Sequence, residues 1–461
     1  MSTLLEQASL VLIPSGYKED TVYSVIPSNG SGDMSFTRAS NGTRINSDGL
    51  VENTPWNLLS YSEDLSNGAW TKSNSPTMTY NIATAPNGTM TADGIQDTIG
   101  LVYRSVFQTI TGISLNATFT FSIYVKKETT ETNYGGVSMY YSGTSAKVVY
   151  GIFNAVNGTI NFASSTLTPT CQIVDAGNYW RIELTTTDTG LNTQLLCEYY
   201  ATLSTNGTGL NTGIGSVRTL WGAQLNIGST AKPYFPTTDR LNVPRLTYQN
   251  GGGGCPSLLL EPQRTNIVTY SEQFDNVAWT KEAGGIASVP VVTANTIISP
   301  DGTQNADTVV FTLNGGTGSS DISQIRTIGY THIANAYTQT IYAKTTDGST
   351  KVFSFITPSG DLIPITITDT WQRFSVTSSL AAVSSTFRLR LRGSASGEGT
   401  SSSATIALWG AQYELGSYAT SYIPTVASSA TRIADGFSRS NVYTNGFITA
   451  SGGTWFVELI N

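Results

Sequence analysis

The chain has 461 residues, carries only 12% Asp, Glu, Lys and Arg, and has a formal net charge of −7. That length suits two to four domains, each able to bury its own core, and the acidic balance argues against a nucleic-acid partner, which needs a basic patch. No apolar run approaches the ~20 residues of a membrane-spanning helix, so no membrane partner is expected. Twenty-three Tyr beside 45 Gly suit many strands joined by tight turns. Three cysteines without a C-x-x-C spacing indicate neither a disulfide framework nor a zinc site. The single histidine, His332, leaves almost no room for a histidine-dependent triad or metal site and reads as a residue near solvent.

In chain order, the opening MSTLLEQASLVLIPSG has no basic n-region or cleavage site and reads as no signal peptide. Residues 1–56 form an N-terminal segment in which Ser9–Pro14 reads as one strand; the segment is too small for a core and is expected to dock onto its own module or onto a virion neighbour. Asn57 to Lys72 then reads NLLSYSEDLSNGAWTK, and Asn266 to Lys281 reads NIVTYSEQFDNVAWTK. Nine of these sixteen positions are identical, at an offset of 266 − 57 = 209. Further pairs follow in the same order. PNGTMTADG (86–94) answers PDGTQNADT (300–308), and FTFSIYVKK (119–127) answers YTQTIYAKT (337–345). LWGAQL (220–225) answers LWGAQY (408–413), at an offset of 408 − 220 = 188. The drifting offset places insertions in loops and marks a duplicated domain, not a short-period solenoid.

Within each copy, apolar residues fall at every second position, as in FTFSIYVK from Phe119 and FRLRLRG from Phe387. Period two broken by NG, DG and GG predicts antiparallel sandwich strands with one buried face. The Trp-Thr-Lys and Leu-Trp-Gly-Ala-Gln segments read as first and last strands, with Trp70, Trp221, Trp279 and Trp409 as fold anchors buried against the opposite sheet. Between the copies, residues 240–265 read as a linker whose four glycines are flexible. After the second copy, ATRIADGFSRSN (430–441) restarts a connector, and residues 453–460 read as a strong strand.

The motif N-L-L-x-Y-S-E-x-F-x-N-x-x-W-x-K, then D-G-x-x-A-D, I-Y-x-K and W-G-A-Q-x-E-x-G-x-x-x-T-x-Y-I-P-T closely resembles the carbohydrate-binding-module-like jelly roll of tailed-phage virion proteins, of head-fibre or tail-fibre type. The second copy fits nearly throughout. The first departs at Asn226, where Glu is expected. FTRASNGTRINSDGLVE (36–52) and LLLEPQRTN (258–266) are similar to connectors that precede such modules.

The resemblance implies an all-β chain of two tandem jelly-roll sandwiches. Residues 1–56 would be a virion-attachment and oligomerisation segment, 57–239 module 1, 240–265 the Gly-rich linker, 266–427 module 2, and 428–461 a connector with the first strand of a further, incomplete β domain. The implied function is that of a phage structural protein on the virion surface, made in the bacterial host cytoplasm. A head fibre or capsid-surface appendage able to bind host or mucosal polysaccharide comes first, a tail-associated host-glycan adhesin second, and a depolymerase last. The implied partners are capsid or tail proteins through residues 1–56 and further copies of the chain, as a homotrimer.

No enzymatic activity and no cofactor are expected. A structural calcium ion is compatible with the resemblance, but no ligands are assigned to it. Paired carboxylates could serve a glycosidase, and Glu63, Asp64, Glu272, Asp93 and Asp307 are the positions to weigh, although Asp64 becomes Gln273 in the second copy. In Tyr140-Tyr141 and Tyr199-Tyr200, neighbours point to opposite faces of a strand, so one of each pair should be exposed, where it can stack on a sugar ring, sit in a subunit interface or simply be half-covered by a loop.

Overall fold

In the computed structural model, the described residues are 7–99, 102–113, 117–130, 134–164, 167–188, 192–203, 214–249, 251–380, 384–392, 402–449, 451–452, 454 and 456–459. Apart from a helical turn at Gln7, their regular structure is β-strand. The chain divides into two compact units, one formed by Pro55–Arg240 and the other by Met1–Thr54 with Leu241–Asn461.

The unit Pro55–Arg240 is a sandwich of two six-stranded antiparallel sheets. One runs Thr170–Ala176, Tyr179–Thr187, Thr118–Lys126, Arg218–Ile227, Ala92–Gln96, Thr77–Ala83, and the other Thr159–Ser164, Lys147–Asn154, Tyr134–Gly143, Asn192–Leu203, Ser105–Thr111, Thr71–Ser73. Alternation explains the layering. Phe119, Phe121, Ile123 and Val125 point inward from one sheet to meet Val137, Met139, Tyr141, Leu195 and Cys197 from the other. Each such large side chain contributes about 1.5–3 kcal/mol by leaving water.

The second module repeats this plan with two five-stranded sheets. One runs Ser288–Ile297, Ala306–Thr312, Ser403–Leu415, Asn335–Thr345, Gln372–Leu380, and the other Trp279–Gly284, Ile322–Thr327, Arg388–Arg392, Lys351–Ile356, Leu362–Ile367. The strand orders coincide once the outermost first-module strands, Thr170–Ala176 and Thr159–Ser164, are removed. Both modules are jelly-roll sandwiches.

The repeated Trp-Gly-Ala-Gln has a local cause. The ladder slips between Ser122 and Tyr124 in one copy and between Thr340 and Tyr342 in the other. Gly222 and Gly410 sit at these bulges with φ of 63°, a left-handed backbone that glycine adopts without penalty. The Trp side chains frame the motif: Trp70, Trp221, Trp279 and Trp409 are all buried. Asn226, the departure from the motif, serves as a turn clasp. Its Oδ1 accepts from Lys232 N (3.1 Å), while Glu414 accepts from Thr420 N (2.9 Å) in the second copy.

The connectors do not behave as their composition suggests. Met34–Thr37 pairs with Gly436–Ser438, and Arg264–Asn266 pairs with Ala430–Arg432. Between these strands lies a buried ion network. Asp435 binds Arg38 (3.0 Å) and Arg245 (2.5 Å), and Glu261 binds Arg245 (2.7 Å) and Arg432 (3.0 Å). Charges so deep persist only when paired.

Three sequence expectations fail here. The glycine run packs instead of flexing: Gly251–Gly254 all take positive φ, and Gly253 N donates to Ser47 O at 2.9 Å. Ser9–Pro14 is no strand but a single bridge, Val11 to Ile26, because too little partner chain lies beside it. Of the strand expected over 453–460, residues 454 and 456–459 carry no strand and Phe456 and Leu459 are exposed, because no neighbouring ladder pairs with them, while 453, 455 and 460 lie outside the described residues.

Candidate functional site

In the first module, the strand Asn192–Leu203 turns Leu195, Cys197, Tyr199 and Ala201 into the core and Glu198 and Tyr200 to the outer face. Opposite, Tyr134–Gly143 turns Val137, Met139 and Tyr141 inward and Ser138 and Tyr140 outward. Register then brings an acid among hydroxyls, because Glu198 stands across from Ser138 on one side and Phe107 on the other. The Glu198 carboxylate accepts from Ser105 Oγ (2.5 Å) and Tyr200 Oη (2.5 Å). The Tyr200 ring is flanked edge-on by Tyr103, 5.5 Å between centroids, and at a tilt by Tyr150 at 6.0 Å. Burial and the Glu198 charge together push the Tyr200 hydroxyl far above its ordinary range, so it stays a donor.

The tyrosine pairs obey the alternation, but exposure does not follow from it. Tyr141 and Tyr199 lie in the core, with Tyr141 Oη donating to Thr186 O at 3.3 Å. Of the outward partners, Tyr140 is half-buried, whereas Tyr200 is only 6% exposed because Tyr103 and Tyr150 cover it. The expectation of one exposed ring per pair is therefore corrected for Tyr199-Tyr200. Glu198, Ser105, Tyr103 and Tyr150 escaped the sequence reading. The one legible signal was the i, i+2 spacing of Glu198 and Tyr200, which puts both on one face.

The carboxylates weighed for catalysis serve the fold. Asp93 accepts from Leu65 N (2.9 Å) and Asn81 N (2.9 Å), and Asp307 makes the same bonds to Phe274 N (2.7 Å) and Asn295 N (2.9 Å). Burial pushes Asp307 up to about 6. Glu63 accepts from Tyr234 Oη (3.3 Å) and Glu272 from Tyr422 Oη (2.9 Å). Burial, helped by Asp301, raises Glu272 to about 8. Among the described residues, no group of three or more His, Cys, Asp or Glu gathers as a metal site.

His332 is buried rather than near solvent, another correction. Its Nε2 lies 3.0 Å from Ser385 Oγ and 3.1 Å from Tyr413 Oη, within a ring cluster that includes Tyr337 at 4.5 Å. Ser385 Oγ also bonds Tyr413 Oη (2.7 Å), so this hydroxyl belongs to a packing network.

No protein-family model and no curated protein matches this sequence. Similar solved structures include the N-terminal CBM22-1-CBM22-2 tandem domain of Paenibacillus barcinonensis Xyn10C, at 12% identity and TM-score 0.27, covering 78% of this chain and 98% of that one. The CBM22-1 xylan-binding domain of the same protein matches at 18% identity and TM-score 0.21, covering 34% of this chain and 94% of that one. A putative secreted protein of Parabacteroides distasonis matches at 8% identity and TM-score 0.21, covering 83% and 99%.

Proposed function

We propose that this chain is a non-catalytic, glycan-binding structural protein of a tailed-phage particle, and that the outer face around Glu198 in its first module receives a sugar polymer. The observation carrying the binding reading is the Glu198 carboxylate, held by Ser105 and Tyr200 and walled by Tyr103 and Tyr150. Glu198 is itself buried, its oxygens taken by these hydroxyls, so it fixes the aromatic platform. The exposed Tyr103 and half-buried Tyr150 offer rings to cover the apolar C–H faces of a pyranose. Glycosidase chemistry uses two carboxylates on one cleft, and the strands forming this face contain one, Glu198.

The phage placement rests on the repeated motif and connectors. In this reading residues 1–56 dock to a capsid or tail protein, the head being favoured, and the chain assembles as a homotrimer displayed on the virion. Labelling intact particles with an antibody to this chain tests the placement, and sedimentation at micromolar concentration tests the trimer. A monomer or unlabelled particles would overturn those parts.

Binding is tested by affinity electrophoresis of the full chain through neutral polysaccharides. Retardation of the wild type is expected, with Kd raised at least tenfold by Tyr150→Ala and by Glu198→Gln. Retardation of both variants equal to that of the wild type sinks the assignment of this face.

A further inference from the structure

The same sheet face exists in the second module, and its chemistry is inverted. In the first module Thr71 pairs with Phe107, and Phe107 with Glu198. In the second, Thr280 pairs with Arg326, and Arg326 with Arg388. Since Thr71 and Thr280 occupy the same repeat position (280 − 71 = 209), Arg388 stands where Glu198 stood and Arg326 where Phe107 stood. One step along, Ser73, Ser105 and Tyr200 pair in sequence, and Glu282, Gln324 and Arg390 replace them. Carboxylate and ring have become guanidinium groups.

The arginines are held, not scattered. Leu389 and Leu391 fill the core, so Arg388, Arg390 and Arg392 all point outward, about 7 Å apart along the strand. Glu282 binds Arg326 (2.5 Å) and accepts from Gln324 Nε2 (2.7 Å), and Gln324 Oε1 accepts from Arg390 Nε (2.8 Å). Arg392 Nε donates to Ser319 O (2.8 Å). Among the described residues, the strands of this face present four guanidinium groups against one carboxylate, Glu282, in a chain of net charge −7. Arg388 bears the strain: burial and the neighbouring Arg326 pull its pKa down, and its Nε is buried without a partner.

We propose that this second face binds an acidic polysaccharide bearing uronate carboxylates, so that the duplicated modules read two different glycan chemistries. The proposal rests on the glycan-binding reading of the first module. A guanidinium fork matches a carboxylate bidentately, and a row of them at regular spacing suits a polymer with a repeating charge. Single-stranded nucleic acid binds on aromatic stacking platforms. The outward positions of these strands, which beside the charged row include Ile322, Ser354, Ile356 and Pro364, carry no aromatic ring.

The test is affinity electrophoresis of the full chain through polygalacturonate, dextran sulfate, a neutral β-glucan and poly(dT), from 50 to 300 mM NaCl. Retention by polygalacturonate is expected, weakening at least tenfold across the salt range and at least tenfold in Arg388→Gln/Arg390→Gln. Tyr150→Ala should keep it within threefold while losing the β-glucan. Loss of β-glucan binding in neither variant undermines the first face alone. Retention by dextran sulfate without polygalacturonate, poly(dT) bound as tightly as polygalacturonate, or an unaffected double Gln variant would each overturn the proposal. Thermal melting checks the fold of that variant. Should it unfold, the wild-type salt series decides, because salt-independent retention also overturns the assignment.

Discussion

Arg38 and Asp435, 397 residues apart in sequence, meet in a 3.0 Å ion pair whose side chains are both fully buried. The same carboxylate binds Arg245, and burial together with Arg245 pulls Arg38 down to about 10. Asp435→Ala therefore leaves two buried guanidinium groups short of a counter-charge. A loss of about 3–5 kcal/mol is expected, read by urea denaturation. A change below 1 kcal/mol would show that water reaches the network.

Gly410→Ala should destabilise the second module. The left-handed backbone at this bulge costs a side chain about 1–2 kcal/mol, and a Cβ would stand 3.2 Å from the Tyr342 ring. Calorimetry should show a lower Tm, and Gly222→Ala should repeat the effect in the first module, where φ is the same.

Glu272 predicts stability that falls as pH rises. Its folded pKa of about 8 lies above the ordinary 4.5, so the folded chain binds more protons than the unfolded one between these values, and stability drops as pH rises through that window. Glu272→Gln should flatten the slope of Tm against pH from 5 to 8. An unchanged slope places the dependence elsewhere, with Asp307 the next group to test.

His332 predicts the opposite trend on its own. Burial lowers its pKa below 6.5, so the unfolded chain takes up the proton first and acidification through that range weakens the fold. Because the chain has one histidine, its imidazole resonance can be followed directly by NMR. A midpoint at or above 6.5 would contradict the buried, neutral ring.

Much of the fold was legible because its signals are local. Period-two alternation set the inward face of strands such as Thr118–Lys126, and repeated sixteen-residue openings with Trp70 and Trp279 revealed two copies of one module. Gly222 and Gly410 recur within the repeated motif, but the bulge requiring them appears only in the ladder. The candidate faces were less legible. Tyr140 and Tyr200 stood out as rings, but Glu198 reads as a lone acid in an apolar strand until register sets it between Phe107 and Ser138, with Ser105 in reach of its carboxylate.

Alternation determines which way a residue points, and the sequence by itself determined that much: an all-β chain, duplicated, with Trp anchors inside. It does not determine what stands opposite, because each cross-strand neighbour comes from a distant segment whose register is set by the packing of the whole sheet. Only the tertiary structure could place Arg388 where the first copy has Glu198. It alone decided that the glycine run would pack and that Arg38, Arg245 and Arg432 would be drawn into one buried network, since pairing is the condition for burying such charges at all.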